Sequence, residues 1–417
     1  MSHHLTNHRI SEILSRLLSS EAFNIKRDTS ALIYDLPYLR ERINSIREAF
    51  PKNTFHSLAI KASPVPKLLE HIRDMDSGLE AASMGELKIA EKSGYPPCKI
   101  VFDSPVKTHE ELEFALDQNI HINADSLAEL ERIAAIKKQL DSKSNIGLRI
   151  NPQVGTGTIA ITSVAGAYSK FGVPMKERRD EIIKAYLKYP WLNGIHLHIG
   201  SQGCSAEMLV DGVKKVYDLV QEIHDEFQNQ RINRRIFHFD IGGGLPISYD
   251  SRKQPPSMND YARMLKEACP DLFNGNFRLI TEFGRYAFTN AGFAISRVEY
   301  VKHDRGISTA MIHVGANMFI REAYHPEQWK HEISIATPEG KIKQGKSANP
   351  WVIAGPLCFA GDMIAKNITL PPIEEGDYII VHDSGAYTHS MWSEYNSREK
   401  PRVFGIDEDE KTVLLSK

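Results

Sequence analysis

Eight short apolar runs follow one another between residues 54 and 285, and most end on residues that can do chemistry. The runs are TFHSLAIKA, GLEAAS, KIVFDSP, HINADS, NIGLRIN, GIHLHIGS, FHFDIGGG and RLITEFGR. A helical stretch separates most neighbouring runs, which is typical of alternating β and α units with a parallel sheet. Eight such units predict an α/β protein with a (β/α)8 TIM barrel, whose active site lies where the strands end. The polar residues at these ends are therefore expected to line one pocket, and the chain is expected to be an enzyme.

After Arg285 the pattern changes to short strands separated by turns. The segments are FAISRVEYV, TAMIHVGA, HEISIAT, WVIAGPLC, DYIIVHDS, RVFGID and TVLLS. They predict a mostly antiparallel β domain, a barrel or sandwich, from about residue 289 onward. The run ALIYD at residues 31–35 precedes the barrel and is expected to join this β domain. The predicted domains are thus a barrel over residues 36–288 and a β domain made of residues 1–35 and 289–417.

Three predicted helices begin with Ser or Thr followed three residues later by Glu. The pairs are Ser83 and Glu86, Thr108 and Glu111, and Ser126 and Glu129. A hydroxyl and a carboxylate at this spacing satisfy amides of the first helical turn reciprocally, so the pairs predict capping boxes.

The barrel pattern is interrupted once, between Asn151 and Pro174, by a loop that contains Gly155, Gly157 and Gly166. Long loops inside a compact domain are usually functional. Residues 152–168 are therefore candidates for a lid, although the sequence does not decide this.

Composition excludes several classes of function. The 417 residues are 41% hydrophobic and 25% charged with a formal net charge of -2, which gives no reason to expect nucleic acid or a membrane surface as a partner. No apolar stretch approaches the roughly 20 residues needed to cross a bilayer. The segment MSHHLTNHRI lacks the pattern of a secretory signal, and the four cysteines lack close pairing or metal-ligand spacing. A cytoplasmic protein with free thiols is expected.

The triple glycine Gly242, Gly243 and Gly244 ends the seventh apolar run. Backbone amides in such a loop can surround an anion, because no Cβ blocks the approach. A tight turn is the alternative interpretation. The position favours a phosphate site, since the loops after strands seven and eight of many barrels hold phosphate.

His196 and His198 alternate along one run, so both face the same side of the strand. One side of a barrel strand is its interior, and at least one imidazole is expected at the pocket mouth. The two rings could instead ligate a metal with Glu282 and Asp125, or His196 could be structural. We predict no metal site.

Lys61 closes the first run within AIKA. By itself it is best interpreted as a lysine that extends out of the barrel mouth into water. An amine, a glycine loop, an imidazole and the acidic Glu282 around one pocket suit pyridoxal phosphate. This cofactor needs a Schiff-base amine, a phosphate site and an acid for its ring nitrogen.

Together these residues make the family recognisable. The chain resembles the fold type III pyridoxal-phosphate decarboxylases, which have the alanine-racemase-like barrel, and most closely the diaminopimelate decarboxylase group within the diaminopimelate and ornithine decarboxylase superfamily. The resemblance runs from about residue 30 to 405. It is carried by AIKA, SMGEL, KTHEEL, ADSLAEL, GLRINP, SKFG, HLHIGSQ, DIGGGLP, EFGR, GPLCFAGD, SGAY and EYNSR.

The resemblance implies a role for individual residues. Lys61 matches the lysine that attaches to the cofactor, His198 the imidazole stacked on its ring, and Glu282 the partner of the ring nitrogen. The phosphate-binding set is matched by Ser201, Gly242, Gly243, Gly244, Gly284, Arg285 and Tyr387. Cys358 matches a proton donor supplied across a homodimer interface. Glu80 and Arg149 match a polar pair that supports the lysine.

Substrate-binding positions are implied for Arg285, Arg321, His325, Phe359, Asp362 and Tyr387. Three positions depart from the family. Phe359 stands where the diaminopimelate enzymes carry a glutamate that contacts the far end of the substrate. The segment 320–325 reads IREAYH, and its last five residues stand where relatives read Arg-Pro-Ala-Leu-Tyr. Phe283 replaces a proline.

The departures lead us to predict decarboxylation of an α-amino-acid centre on a modified or conjugated amino acid, in siderophore or other specialised biosynthesis. The alternative is meso-diaminopimelate decarboxylation to L-lysine. A racemase shares the barrel, lysine and cofactor, but lacks the motif GPLCFAGD. A non-catalytic relative is expected to lose Lys61 or Cys358, and both are present.

Overall fold

The structure is a computed structural model that describes residues 4–416, so residues 1–3 of the predicted β domain and residue 417 lie outside it. It contains two compact units. The barrel unit comprises residues 43–247 and 255–286. The β unit comprises the described part of residues 1–42, residues 248–254 and the described part of residues 287–417.

Helices and strands are numbered along the chain. The helices are α1 (Asn7–Ser19), α2 (Leu36–Ala49), α3 (Pro66–His71), α4 (Met84–Lys92), α5 (His109–Asp117), α6 (Leu127–Lys137), α7 (Met175–Lys188), α8 (Ala206–Asn229), α9 (Met258–Ala268), α10 (Gly284–Phe288) and α11 (Ile320–Tyr324). The strands are β1 (Ser30–Asp35), β2 (Phe55–Ala59), β3 (Gly78–Ala81), β4 (Ile100–Asp103), β5 (His121–Ala124), β6 (Ile146–Asn151), β7 (Val173–Pro174), β8 (Leu192–His196), β9 (His238–Asp240), β10 (Arg278–Thr281), β11 (Gly292–Asp304), β12 (Ile307–Ile312), β13 (Ile333–Ala336), β14 (Trp351–Ala354), β15 (Met363–Ile368), β16 (Tyr378–Val381), β17 (Arg402–Ile406) and β18 (Thr412–Ser416).

The barrel unit is a closed ring of eight parallel strands. Its order is β2-β3-β4-β5-β6-β8-β9-β10, and β10 pairs with β2 to close the ring. The short β7 pairs only with β6, outside this ring. Each of the eight apolar runs supplies one strand, so the predicted (β/α)8 barrel is confirmed. The carboxyl ends of all eight strands therefore face the same rim.

The predicted helix starts are confirmed, but only one capping box is complete. The hydroxyls of Ser83, Thr108 and Ser126 accept from the amides of Glu86, Glu111 and Glu129, respectively. Only Thr108 and Glu111 bond reciprocally. Glu86 instead accepts from the Ala82 amide, and Glu129 from the Asp125 amide, one residue further back in each case.

The β unit is a mostly antiparallel sheet with the order β15-β14-β12-β11-β1-β17-β18, and β16 pairs with β11 and β13. Within it, β1–β17 and β12–β14 are parallel pairs. As predicted, the N-terminal strand joins this sheet, where Ser30 lies opposite Ser296.

Helices α1 and α11 and strand β15 of the β unit were not predicted from the sequence. Helix α1 buries Ile10, Ile13, Leu14 and Leu17 against the sheet, at the spacing of an amphipathic helix. Strand β15 is largely half-buried or exposed, so its apolar pattern is weak. Among residues 4–416, no helix is both long and apolar enough to cross a membrane.

Candidate active site

Lys61 lies directly after β2, in a short turn over Ile60–Ala62 at the barrel rim. Its Nζ atom contacts the Glu80 carboxylate at the end of β3. The Lys61 side chain is 41% exposed, whereas Glu80 is completely buried. Burial raises the pKa of Glu80 to about 7, against the opposing charge of Lys61. The amine of a partly exposed lysine is thus held by a buried acid at the barrel rim.

Glu282 follows β10 and is buried together with other acidic groups of the barrel. Burial and the charges of Asp240 and Glu80 raise the pKa of Glu282 well above its usual value. Its Oε1 atom has no hydrogen-bond partner among the described residues. Oε2 lies 4.0 Å from Nδ1 of His198. Oε1 faces Nε2 of His196 at 3.8 Å, so Oε2 is the oxygen of this buried acid that lies beside His198.

His198 is held in one orientation by the glycine loop. The Gly243 amide donates to Nδ1 of His198 at 3.1 Å. Burial, with the positive charges of Arg149 and Lys61, lowers the pKa of His198 to about 3. The imidazole is therefore neutral, with its proton on Nε2, and is suited to flat stacking.

The glycine loop has one amide available for an anion. The Gly242 amide donates to Asp240 at 2.9 Å, and the Gly243 amide is used by His198. Within residues 4–416, the Gly244 amide has no hydrogen-bond partner. In the same barrel unit, the Arg285 guanidinium donates through Nε to Oγ of Ser201 at 2.9 Å.

Gly243 and Gly244 of this loop, and Gly284 at the start of α10, are also required by packing. A Cβ atom on Gly243 would lie 2.3 Å from the Glu282 carbonyl oxygen, and one on Gly244 would lie 1.9 Å from that of Gly200. On Gly284 it would lie 2.8 Å from Cβ of Ala59. The loop is thus pressed against the segments that follow β8 and β10.

His196 ends β8 and lies in a row of buried polar groups. Its Nδ1 lies 3.7 Å from Oδ1 of Asp103, and its Nε2 lies 3.8 Å from Oε1 of Glu282. One polar atom from each of the three residues falls within 4.8 Å of the others, which is also the spacing of a cation site. The ring faces the two carboxyl groups with different nitrogens, however, and this favours a hydrogen-bonded row over a metal.

The family resemblance groups Arg149 with Glu80, whereas the structure places its guanidinium beside Asp103 and Asp125. Its guanidinium lies 3.2 Å from Asp103 and 3.7 Å from Asp125, and 4.6 Å from the centre of the Phe171 ring. Asp103, like Asp240 and Asn123, was not singled out from the sequence. The available signal was a polar residue on an otherwise apolar barrel strand, as in IVFD, FHFD and HINA.

In the β unit, Cys358 lies on an exposed loop that is fixed at its backbone. The Cys358 amide donates to Asn396 at 2.7 Å, and the Tyr395 hydroxyl donates to the Cys358 carbonyl at 3.3 Å. Asp362 ends this loop, and its buried carboxylate accepts from the amides of Leu357 at 2.7 Å and Ala316 at 2.5 Å. Both oxygens are thus engaged by the backbone, which fixes the end of the loop, and a substrate contact of Asp362 stays a prediction.

The remaining residues of the predicted substrate site surround α11. The Arg321 guanidinium lies 4.6 Å from the centre of the Trp329 ring and 4.9 Å from that of Tyr387. Tyr387 has a φ of 57°, which residues other than glycine rarely adopt.

Beside it, Tyr324 stacks on Phe359 with the ring centres 5.6 Å apart and the planes 16° apart. His325 is exposed at the end of α11. The β unit thus offers a guanidinium between two aromatic rings and, nearby in the chain, an exposed aromatic pair.

The barrel residues fit pyridoxal phosphate. They offer an accessible amine, a buried acid with an unpartnered oxygen, a neutral imidazole, and a free backbone amide with a guanidinium for the phosphate. Each requirement is met by a residue singled out from the sequence. The buried Glu282 carboxyl, whose Oε2 lies 4.0 Å from Nδ1 of the neutral His198 ring, is the observation that carries this fit.

Comparison with known proteins agrees with this assignment. Residues 36–289 match the family model for the pyridoxal-binding domain of pyridoxal-dependent decarboxylases. The diaminopimelate decarboxylase of Aquifex aeolicus is 32% identical over 389 residues, which are 93% of this chain and 88% of that protein. The enzyme of the same description from Helicobacter pylori is 31% identical over 394 residues, 93% of each chain.

Solved structures are similar over nearly the whole chain. Helicobacter pylori diaminopimelate decarboxylase complexed with L-lysine has a TM-score of 0.82 at 29% identity and covers 94% of this chain and 95% of its own. The diaminopimelate decarboxylase of M. jannaschii in complex with L-lysine has a TM-score of 0.82 at 29% identity, over 94% of this chain and 90% of its own.

Proposed function

This chain belongs to the pyridoxal-dependent decarboxylases, and from that premise we propose that it removes the carboxyl group from the α-amino-acid centre of a diaminopimelate-type substrate. It is a pyridoxal-phosphate-dependent carboxy-lyase. The substrate and the roles of individual residues are the proposed part. The paired Lys61 and Glu80 at the barrel rim, beside the buried Glu282, are the observation that supports these roles best.

The barrel residues divide the work of binding and proton control. When bound, pyridoxal phosphate condenses with amines and accepts the electron pair released as carbon dioxide leaves. Lys61 provides the amine, and Glu80 orients it. Glu282 holds the proton of the ring nitrogen, and His198 packs flat against the ring. Ser201, the Gly244 amide and Arg285 bind the phosphate, because donors and positive charge favour an anion there.

Residues of the β unit complete the reaction in this proposal. Cys358 donates a proton to the substrate carbon from Sγ, and Arg321 binds a carboxylate of the substrate. We propose a homodimer in which Cys358 serves the site of the second subunit. Its exposure, together with that of Tyr324 and Phe359, supports an interface here, since exposed aromatic clusters commonly mark one.

Two substrates have separate support. The relatives' names favour meso-diaminopimelate, with L-lysine as product. The second candidate is a conjugated or modified amino acid, as in siderophore or other specialised biosynthesis. It is favoured by the Tyr324–Phe359 stack, which places an apolar surface where the family resemblance leads us to expect a carboxylate for a distal ammonium. Of the two, meso-diaminopimelate has the broader support.

The test is direct. Purified protein loaded with pyridoxal phosphate is incubated with meso-diaminopimelate, and carbon dioxide and L-lysine are measured. Borohydride reduction is expected to fix the cofactor on Lys61 in the native chain and to fix none in Lys61→Ala. Interconversion of enantiomers without carbon dioxide release would establish a racemase instead. Cofactor fixation without turnover of meso-diaminopimelate would favour the conjugated substrate.

A further inference from the structure

The row formed by Asp103, His196 and Glu282 lies entirely inside the barrel unit, and His196 is completely buried. Neither ring nitrogen has a hydrogen-bond partner among residues 4–416, and the same holds for the facing oxygens, Oδ1 of Asp103 and Oε1 of Glu282. Unsatisfied buried polar atoms cost free energy, so four of them facing one another need a reason. The two gaps of 3.7 and 3.8 Å are each slightly longer than a hydrogen bond. A small rotation of either carboxyl group closes them.

The protonation states of the row are constrained by its neighbours. Burial raises the pKa of Asp103, but positive neighbours, first among them the Arg149 guanidinium at 3.2 Å, lower it by more. The net pKa is below the usual value, so Asp103 is ionised. Burial lowers the pKa of His196 well below its usual value, and the imidazole is neutral. An ionised Asp103 can only accept, so the single ring proton belongs on Nδ1. Nε2 is then an acceptor that faces the protonated Glu282.

We propose that Asp103 and His196 form a proton relay for Glu282, in which His196 is a positioning residue that takes the Glu282 proton when Glu282 must be ionised. This deepens the proposed function, since it rests on Glu282 holding a protonated ring nitrogen. In the step, the O–H bond of Glu282 breaks and an N–H bond forms at Nε2 of His196, without electron transfer. The resulting imidazolium lies between two carboxylates, where charge-assisted hydrogen bonds favour it.

The surrounding charges are consistent with a relay that responds to the ligand. The titratable or charged groups that act on the row are Lys61, Glu80, Lys107, Arg149, His198 and Asp240. The acidic members hold a proton on Glu282 in the empty site. A positive charge beside the other oxygen of Glu282, Oε2, reverses this balance, and the relay provides the nearest base.

Nitrogen NMR of the histidine rings tests the relay without reference to turnover. The chain contains 17 histidines, and the His196 signal is assigned by its loss in His196→Gln. We expect His196 to be neutral in the cofactor-free protein and doubly protonated after loading with pyridoxal phosphate. In Asp103→Asn the ring should stay neutral after loading. A ring that stays neutral in the native loaded protein, or responds equally in Asp103→Asn, would overturn the proposal.

Cofactor affinity gives a second readout with a matched control. His196→Leu should weaken binding of pyridoxal phosphate about tenfold, the effect usual for residues that orient a first-contact group. His238 is another buried barrel histidine, and its pKa is lowered to about 3 by burial. His238→Leu should leave the affinity unchanged. Equal affinities for the native chain and His196→Leu would contradict the relay. Failure of the proposed substrate alone would leave the NMR result untouched, so the two proposals fail separately.

Discussion

The Gly243 amide donates a hydrogen bond to Nδ1 of His198 at 3.1 Å, although the two residues lie 45 positions apart. This contact fixes both the tautomer and the plane of the ring. It also explains why the second glycine of the loop cannot serve an anion. The triple glycine is therefore as much a support for the imidazole as a phosphate site.

Gly243→Ala tests the tight packing of this loop. Its Cβ would lie 2.3 Å from the Glu282 carbonyl oxygen, so the backbone must shift. We expect the free energy of unfolding to fall by about 1–3 kcal/mol, measured by urea denaturation. Gly85→Ala is the control, because its Cβ meets nothing closer than 3.6 Å within α4 and alanine favours a helix. Equal stability of the two variants would contradict the packing argument.

Phe359→Glu tests the distal end of the substrate site. The new carboxylate can pair with an ammonium group, so kcat/KM for meso-diaminopimelate should rise at least about tenfold if the native substrate is a conjugate. Phe359→Gln, which has nearly the same shape without the charge, is the control. High native activity that Phe359→Glu fails to improve would leave meso-diaminopimelate as the substrate.

Mixing inactive subunits tests the shared active site. Lys61→Ala and Cys358→Ser each remove one half of the proposed site, and in a random mixture of dimers roughly a quarter of the sites are intact. We expect that fraction of native activity after exchange, measured as carbon dioxide release. Mixtures that stay as inactive as each variant alone would show that both residues serve the same subunit.

Glu322→Gln tests a buried ion pair beside Arg321. His331 Nε2 lies 2.8 Å from Glu322 Oε1, and both side chains are nearly buried. Removing one partner of such a pair typically costs about 3–5 kcal/mol of unfolding free energy. The exposed pair Lys88 and Glu91 provides the control, since Glu91→Gln should change little.

The cost of Glu322→Gln should depend on pH in a defined direction. Burial alone lowers the pKa of His331, but Glu322 raises it above 6.5 in the folded protein. The stabilisation by protonated His331 is therefore lost as the pH rises through the pKa that His331 has in the folded protein. Burial alone raises the pKa of Glu322, but His331 lowers it below 4.5, so its contribution is lost as the pH falls. The loss of stability should therefore be largest between pH 4.5 and 6.5. A loss that is independent of pH would argue against an ion pair.

Local patterns predicted most of the fold, because each barrel strand is a short apolar run bounded by helix-starting residues. Helix α1 was missed although Ile10, Ile13, Leu14 and Leu17 carry its period. Lys61, His198 and Glu282 could be singled out because they stand at strand ends. Asp103 gave only the weaker signal of a polar residue in an apolar strand, since its importance depends on Arg149 and His196, which only the closed barrel brings to it.

The position of β1 between β11 and β17 has a consequence for how the chain matures. Strand β1 is the first strand to leave the ribosome, yet both of its hydrogen-bonding neighbours are encoded after the entire barrel. During synthesis the backbone N–H and C=O groups of β1 therefore stay without their partner strands until the barrel sequence has emerged. Truncated products that end before Gly292 consequently carry an orphan strand, and refolding of the β unit should be the slow, concentration-sensitive stage.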